Sequence, residues 1–307
     1  KLPTSGAGWT DVLAAAKAAS GATSLSNQDS NDSTNVMAAA LVYARTGEAV
    51  YLAKAEKAIT DICTKNLESG SRALALGREL IGYVLAADIV QLSKVDADLD
   101  AKWRTKLAYL LTYKTSQAGS LIDCSLDRPN NWGGHSRASW LAAALYLGDK
   151  AGADKAVATL RGWMGNWSAY NGFEYGDLAW QVDKTKPVGI LPKGAKLQNY
   201  DVDGGQPEEL RRVAFKIPPG FVVYTWEGLQ GPIAAAEMAH RAGYTDIWDE
   251  CDKALLRAVQ FNYRQGWAAE GDDKWVVPII NRAYGVNFPV TGGGAGKNVG
   301  WSLWTHQ

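Results

Sequence analysis

The sequence contains little cysteine and little histidine, with three residues of each among 307. Cys63, Cys124 and Cys251 show no Cys-x-x-Cys spacing, and the histidines are not paired, so the sequence does not predict a structural zinc site. Three cysteines are compatible with one disulfide and a free thiol, or with three buried thiols. The sequence leaves both arrangements open.

Net charge and long apolar runs are also missing. Lys and Arg together number 32, and Asp and Glu together also number 32. This balance does not favour nucleic acid or a membrane surface as the main partner. No run of about 18 apolar residues occurs, so hydropathy predicts no membrane-spanning helix. The glycine-rich segment Thr291–Lys297 lacks the Gly-Lys-Ser/Thr ending of a phosphate-binding loop, and we expect no nucleotide there.

Phenylalanine is scarce, with five residues against 13 tryptophans and 13 tyrosines. Tryptophan and tyrosine carry a polar atom that needs a partner, whereas phenylalanine does not. Their excess therefore predicts partly hydrated surfaces such as a binding groove. Because an indole ring stacks on the apolar face of a sugar, the composition favours a carbohydrate ligand.

Apolar residues recur at helical spacing through most of the chain. Three connections look alike, since Gly47, Gly148 and Gly243 each join an alanine-rich helix to an amphipathic one. Short connections of this kind force neighbouring helices to run antiparallel, and repeated hairpins favour an α/α toroid or a solenoid. The predicted helices span residues 35–44, 48–64, 72–92, 98–113, 140–147, 153–167, 230–242 and 246–263.

Two stretches, residues 170–219 and 275–307, break the helical pattern. Both are rich in glycine, and their apolar residues show little periodicity. Long irregular segments inside a compact domain are usually functional loops. No change in composition marks a boundary, so we expect a single domain over residues 1–307.

The segment Arg128–Trp140 concentrates the side chains that could perform chemistry. It contains Asn130, Asn131, His135 and Arg137. Amide, imidazole and guanidinium groups can hold a carboxylate and move a proton beside it, which points to an acidic sugar. The alternative is a helix N-terminus that one of the two asparagines caps, with the tryptophans as core residues.

Asn130-Asn131, which precede a tryptophan-bearing helix, resemble the Asn-Asn-His motif of the α/α-toroid alginate lyases. The later stretches Asp203–Arg212 and Tyr224–Ala239 resemble a second signature of that family, and Leu76–Asp88 resembles one of its toroid helices. The resemblance implies an all-α fold, an incomplete α/α toroid of helical hairpins with long loops around a central cleft.

The sequence also departs from the family pattern. Trp132 stands where the family has histidine, and the nearest histidine, His135, comes four residues after Asn131. The Tyr-His-Asn triplet of the family appears as Tyr224-Thr225-Trp226. The chain is therefore predicted to be a distant member of the toroid polysaccharide lyases.

The resemblance implies β-elimination on a β-1,4-linked polyuronate, with alginate (mannuronan) as the first candidate and glucuronan as the second. Asn131, His135 and Arg212 are expected to neutralise the carboxylate, and Tyr224 or His135 to serve as base and acid. No metal and no cofactor is expected. Tyr175 could replace Tyr224 as the catalytic tyrosine.

Further residues are expected to contact the substrate. Arg211 competes with Arg212 for the carboxylate, and Arg282 and Tyr284 could close over the cleft. The full set of expected substrate-binding residues is Asn130, Trp132, Arg137, Trp140, Tyr175, Arg211, Trp226, Arg282 and Tyr284.

Two other functions stay open at the level of sequence. An α/α-toroid glycoside hydrolase would need two carboxylates across the scissile bond. The available acids are Glu174, Asp177, Asp201, Asp203, Glu208 and Glu209. A noncatalytic glycan-binding protein would use the tryptophans alone. We further expect a monomer that is secreted or periplasmic. The chain begins at Lys1 and not at methionine, which either the removal of a secretion signal or trimming of the chain would explain.

Overall fold

The computed structural model describes residues 2–307 and confirms the all-α prediction. The only strands in these residues form a short antiparallel hairpin, in which Lys196 pairs with Asp201 and Leu197 with Tyr200. The helices are α1 (Ala7–Ala18), α2 (Asp32–Thr46), α3 (Ala49–Thr64), α4 (Ala73–Ile89), α5 (Leu92–Val95), α6 (Ala97–Thr112), α7 (Leu121–Asp127), α8 (Asn131–Leu147), α9 (Lys150–Met164), α10 (Pro207–Leu210), α11 (Tyr224–Arg241), α12 (Glu250–Arg264), α13 (Val276–Tyr284) and α14 (Ser302–Thr305).

The three similar connections of the sequence lie at the ends of α2, α8 and α11. Gly47, Gly148 and Gly243 adopt φ values of 78°, 71° and 101°, a left-handed conformation that is costly for other residues. Each glycine ends one helix and lets the chain turn back into the next. The hairpins α2–α3 and α8–α9 follow directly, and a short 3₁₀ turn (Ile247–Asp249) precedes α12.

Helices α2, α4, α8 and α11 form an inner layer in which each packs against the next, and α3, α6, α9 and α12 lie outside them. The inner helices α4, α8 and α11 run parallel. Their last turns together line a cavity of about 270 Å³ that Leu85, Leu145 and Met238 contact. Their first turns therefore lie together at the opposite face of the layer.

The C-terminal segment returns to the beginning of the chain. The indole of Trp304 lies 5.3 Å from that of Trp9 in α1, and its N–H donates to the carbonyl of Pro3 at 2.8 Å. The indole N–H of Trp301 donates to the carbonyl of Thr34 in α2 at 2.9 Å. Since α13 packs on α11 and α14 on α1, the helices follow the circular order of an incomplete toroid.

The tryptophans are mostly core residues, which corrects the expectation of a hydrated aromatic groove. All of them except Trp132 and Trp167 are buried. Their indole N–H groups donate to backbone carbonyls of distant segments, as Trp163 does to Pro129 at 2.6 Å. A buried indole needs such a partner, so the excess of tryptophan over phenylalanine reflects cross-links between loops and helices.

Two inner helices begin earlier than the sequence pattern predicts. Helix α8 begins at Asn131 instead of residue 140, and α11 begins at Tyr224 instead of residue 230. Both extensions contain glycines, which have low helix propensity, so the sequence pattern concealed them. Part of the stretch 275–307 is also helical, as α13 and α14, because Val276–Ile280 is buried in the core.

Cysteine and hydropathy give two further outcomes. Cys63, Cys124 and Cys251 are free thiols, of which only Cys124 is buried, so neither arrangement considered from the sequence is realised. Among residues 2–307, no helix combines the length and the apolar character that crossing a bilayer requires. The single-domain organisation stays a prediction.

Glycines set the distance between the inner helices. A Cβ atom on Gly77 of α4 would lie 2.8 Å from the backbone nitrogen of Ser136 in α8. The carbonyl of Gly77 also accepts a hydrogen bond from the Ser139 hydroxyl at 2.7 Å. The two backbones therefore meet without a side chain between them.

We expect Gly77→Ala to lower the free energy of unfolding by about 3 kcal/mol, because the added methyl group must separate α4 from α8. Urea denaturation measures this change. Gly293→Ala is the control, since the nearest atom to its Cβ would be Leu303 Cβ at 3.6 Å. Equal stability of the two variants would contradict the proposed contact.

Candidate active site

Helix α8 begins at the paired asparagines, and their two side chains have different partners. The side-chain oxygen of Asn130 accepts the backbone N–H of Trp132 at 3.1 Å, so Asn130 is the helix cap. Asn131, which is buried, does not cap the helix. Its side chain is therefore available for contacts outside α8.

Asn131 belongs to a network with α10 and the residues that follow it. Arg212 donates to the side-chain oxygen of Asn131 at 3.0 Å and to Oε2 of Glu209 at 2.6 Å. The other carboxylate oxygen of Glu209 accepts the backbone N–H of Asn131 at 2.6 Å. Glu209 thus holds Arg212 and the start of α8 in one fixed arrangement.

Tyr224, the first residue of α11, lies beside this network. The guanidinium carbon of Arg212 is 3.9 Å from the centre of the Tyr224 ring, a close cation–π contact. The side chain of Tyr224 is 37% exposed, so the ring is accessible from solvent. The structure therefore brings together Asn131, Arg212 and Tyr224, three of the four residues that the sequence predicts to be catalytic.

Glu209 is the buried carboxylate that joins Asn131 to Arg212. Complete burial raises its pKa to about 7, although the charge and hydrogen bond of Arg212 act in the opposite direction. A carboxylate that is buried and uses both oxygens in hydrogen bonds cannot reach a ligand. We therefore assign Glu209 a supporting position.

His135, the fourth predicted residue, lies one helical turn beyond Asn131 and is fully buried. Its Nδ1 contacts the side-chain oxygen of Asn298. The amide nitrogen of Asn298 donates to the carbonyl of Gly77 at 3.3 Å, which identifies the Asn298 oxygen as the acceptor. The proton of a neutral His135 ring therefore sits on Nδ1, and Nε2 is the basic nitrogen.

Nε2 of His135 faces Glu227 of α11, whose nearer carboxylate oxygen is 3.8 Å away. Burial lowers the pKa of His135, and the carboxylate of Glu227 opposes that shift. The same Glu227 oxygen accepts a hydrogen bond from Arg78 of α4 at 2.6 Å. Helices α4, α8 and α11 are therefore joined by three charged or ionisable side chains directly beneath the cluster.

A network of ion pairs extends from the Glu227 site to segments near both ends of the chain. Lys297 lies 3.1 Å from Asp29 and 3.2 Å from Asp272, and Arg78 lies 3.9 Å from Asp29. The segment before α2, the turn before α13 and the C-terminal segment meet at this point. The ion pairs thus help to close the toroid at the face that carries the cluster.

Several predicted substrate-binding residues lie away from solvent. Trp140 and Trp226 are 3% and 1% exposed, so their rings offer no face to a sugar. Arg137 is also buried, where it donates to the carbonyl of Ser125 at 3.1 Å and lies over the ring of Phe173. The sugar-stacking prediction does not fit Trp140 and Trp226, because neighbouring helices cover both rings.

The remaining predicted residues are divided between the cluster and the opposite end of the helices. Trp132 is half-buried beside Asn131, and exposed Arg211 pairs with Glu208 at 2.8 Å. The hydroxyl of Tyr175 is buried, and burial raises its pKa above the usual range.

Arg282 and Tyr284 lie near the end of α11. Arg282 shares a cavity with His240 and Arg241, and the Tyr284 hydroxyl donates to the carbonyl of Trp248. Since α11 begins at Tyr224 and rises about 1.5 Å per residue, this end is roughly 24 Å from the cluster.

Sequence reasoning missed Arg78, Glu227 and Asn298 as site residues, and considered Glu209 only as a hydrolase carboxylate. Arg78 and Glu227 lie within the two stretches that resemble family helices, and this resemblance is the sequence signal that could have identified them. Asn298 lies in the glycine-rich C-terminal segment, and nothing in its sequence neighbourhood indicates a contact with His135.

Glu227, Asp272 and Asp273 bring one carboxylate oxygen each within 4.8 Å of one another, which is close enough to hold a metal ion. Arg78 and Lys297 already neutralise Glu227 and Asp272. Burial raises the pKa of Asp273 to about 8, so this carboxyl is mostly protonated at neutral pH. The arrangement therefore favours an ion-pair network over a cation site.

We expect titration with Ca²⁺, Mn²⁺ or Zn²⁺, followed by calorimetry, to show no saturable binding at this trio. Lys297→Ala is the informative comparison, because it removes the cation that competes for Asp272. Saturable binding by the unmodified protein that Asp272→Asn abolishes would contradict this expectation.

The ionisation of Glu227 predicts a dependence of stability on pH. Burial raises its pKa, but the nearby His135 ring and the charge of Arg78, which donates to Glu227 at 2.6 Å, outweigh burial and lower the pKa from 4.5 to about 2. A lowered carboxyl pKa stabilises the fold above about pH 4.5, and this stabilisation is lost as the pH falls toward 2.

We therefore expect Glu227→Gln to lower the free energy of unfolding by roughly 2–3 kcal/mol at pH 7 and by less at pH 3. Urea denaturation at both pH values measures the difference, with exposed Glu174→Gln as the control. A loss that is the same at pH 7 and pH 3 would show that Glu227 does not stabilise the fold through its charge.

A family model described as alginate lyase matches residues 14–275. No curated protein and no solved structure matches the chain significantly. Membership of this family supports polysaccharide lyase activity in general and implies an acidic polysaccharide as substrate. Since the match covers most of the helices and all of the Asn131, Arg212 and Tyr224 cluster, the chain belongs to the alginate lyase family.

Proposed function

We propose that the protein cleaves a β-1,4-linked polyuronate by β-elimination, with alginate as the first candidate substrate and glucuronan as the second. The observation that carries the proposal is the convergence of Asn131, Arg212 and Tyr224 at the first turns of α8 and α11. A secreted or periplasmic location suits a polymeric substrate and stays a prediction, as does the monomeric state.

Neutralisation of the uronate carboxylate is the first requirement. Its negative charge opposes removal of the neighbouring proton at C5, because that step places further charge on the carboxylate oxygens. Arg212 uses its Nε and one amino group in the network, and its other amino group is the donor proposed for the carboxylate. The amide nitrogen of Asn131 is the second donor, since its oxygen already accepts from Arg212.

Proton transfer is the second requirement, and we assign it to Tyr224. Its phenolic oxygen, as phenolate, takes the proton from C5, the electron pair forms the C4–C5 double bond, and the C4–O4 bond breaks. The Tyr224 hydroxyl formed in this way then gives the same proton to the departing O4, which restores the phenolate. The exposure of Tyr224 and its stacking on Arg212 support this role. Tyr175 is less suitable because its hydroxyl is buried.

His135 receives a different role from the one the family resemblance implies. A fully buried ring cannot contact a polymer in this conformation. Its hydrogen bond to Asn298 and its proximity to Glu227 instead link the C-terminal segment, α8 and α11. We propose that His135 positions Asn131 and Tyr224 by fixing the two helices that carry them.

A glycoside hydrolase would require two accessible carboxylates across the cleft. Glu208 and Glu209 are buried and paired with Arg211 and Arg212. Asp203 is likewise paired with Arg257 at 2.5 Å. These pairings favour elimination over hydrolysis, because the acids near the cluster hold arginines in place.

The test is incubation with mannuronan, alginate and glucuronan while following the ultraviolet absorbance of the unsaturated uronate. We expect this absorbance to rise with at least one polymer. We expect Tyr224→Phe to lower kcat by about 100-fold or more, because the phenylalanine variant cannot transfer the proton.

Tyr109→Phe is the matched control, because Tyr109 is a similarly exposed tyrosine with the Lys106 amine 4.9 Å from its ring centre. New reducing ends without the absorbance would identify a hydrolase, and binding without either product would identify a glycan-binding protein. Near-normal turnover by Tyr224→Phe would remove this residue from the mechanism.

A further inference from the structure

We propose that Arg72 and Trp132 form a second uronate subsite beside the Asn131, Arg212 and Tyr224 cluster. In this subsite Arg72 binds the carboxylate of the neighbouring sugar, and Trp132 contacts the ring of that sugar. The inference rests on the proposed function, since it assigns one more position along the same polymer.

Arg72 is an immobilised cation at the cluster face. It directly precedes α4 and is half-buried, and its guanidinium carbon lies 5.7 Å from the centre of the Trp132 ring. One of its amino groups donates to the side-chain oxygen of Gln28. Both contacts hold the guanidinium in place before any ligand binds.

No carboxylate of the described residues balances the charge of Arg72. No carboxylate of residues 2–307 forms an ion pair with it, whereas Arg78, Arg211 and Arg212 at the same face are all paired. A fixed guanidinium without a counter-charge retains planar donors for an incoming anion.

Trp132 provides the second half of the subsite. It follows Asn131 directly and, unlike most tryptophans of this protein, is only partly buried. A partly exposed indole beside a carboxylate-binding amide suits the next sugar of a chain, whose apolar face can pack on the ring.

The repeating chemistry of a polyuronate matches this arrangement. Each sugar of the polymer carries one carboxylate, so a second fixed guanidinium near Arg212 meets a second charge of the same chain. A neutral polysaccharide would leave Arg72 without a partner. The subsite therefore selects for consecutive uronates.

The test is calorimetric titration with trimers of β-1,4-linked mannuronate and of β-1,4-linked glucuronate. The titrated protein carries Tyr224→Phe, so that the trimers bind without being cleaved. Adding Arg72→Gln keeps a planar amide that can contact Gln28 but removes the charge. We expect affinity for the better-binding trimer to fall about tenfold and to become less dependent on salt. Arg72→Lys restores part of the affinity because it restores the charge.

Arg104→Gln is the control for the loss of an arginine that stacks on an aromatic ring. Arg104 belongs to the outer helix α6, and its guanidinium carbon lies 5.1 Å from the ring centre of Tyr146. With Tyr224 intact, we expect Arg72→Gln to raise KM for the polymer about tenfold and to leave kcat within about twofold.

Unchanged affinity, or an unchanged salt dependence, would overturn the assignment of Arg72. If the unmodified protein eliminates none of the three polymers, the proposed function fails, and the titrations still decide whether Arg72 binds a uronate carboxylate.

Discussion

The close approach of α4, α8 and α11 is the constraint on which the candidate site depends. Gly77 lets the backbone of α4 meet that of α8, and Gly134 of α8 leaves room for Pro232 of α11, whose Cδ would lie 3.0 Å from an added Cβ. Gly77 and Gly134 lie near the beginnings of α4 and α8, and Pro232 lies at the middle of α11. Because the three helices run parallel, their first turns stay together at one face. The positive ends of three helix dipoles then meet where an acidic polymer is proposed to bind, which favours an anionic ligand.

Buried carboxylates stabilise this face by holding cations. Glu209 fixes Arg212 and the beginning of α8, and Glu227 fixes Arg78 and lies near His135. An enzyme that acts on a polyanion needs cations in its cleft, and unpaired cations would repel one another there. Buried carboxylates beside these cations reduce that repulsion, and the remaining donors of the cations stay free for the substrate. This distribution explains why the acids of the site are buried while Arg212 and Tyr224 remain accessible.

The tryptophans show that composition can favour a carbohydrate ligand for a reason that the fold does not support. Their number favoured a carbohydrate groove, yet Trp163, Trp301 and Trp304 connect helices to distant backbone carbonyls. Of the tryptophans in the segment Arg128–Trp140, only Trp132 keeps part of its ring exposed. An indole suits both roles because it combines a large apolar surface with one donor, so its count alone does not distinguish them.

Sequence by itself indicated the all-α class, most of the long helices, the glycine-ended hairpins and the candidates Asn131, Arg212 and Tyr224, because periodicity, caps and motifs are local properties of the chain. Only the tertiary structure showed that Asn130 is the cap, that Glu209 joins Asn131 to Arg212, and that His135 is covered by Asn298. The Arg212–Asn131 and His135–Asn298 contacts join residues 81 and 163 positions apart. Helical spacing identifies the face on which a side chain lies, but the packing of distant segments decides whether that face meets solvent, a charge or another helix.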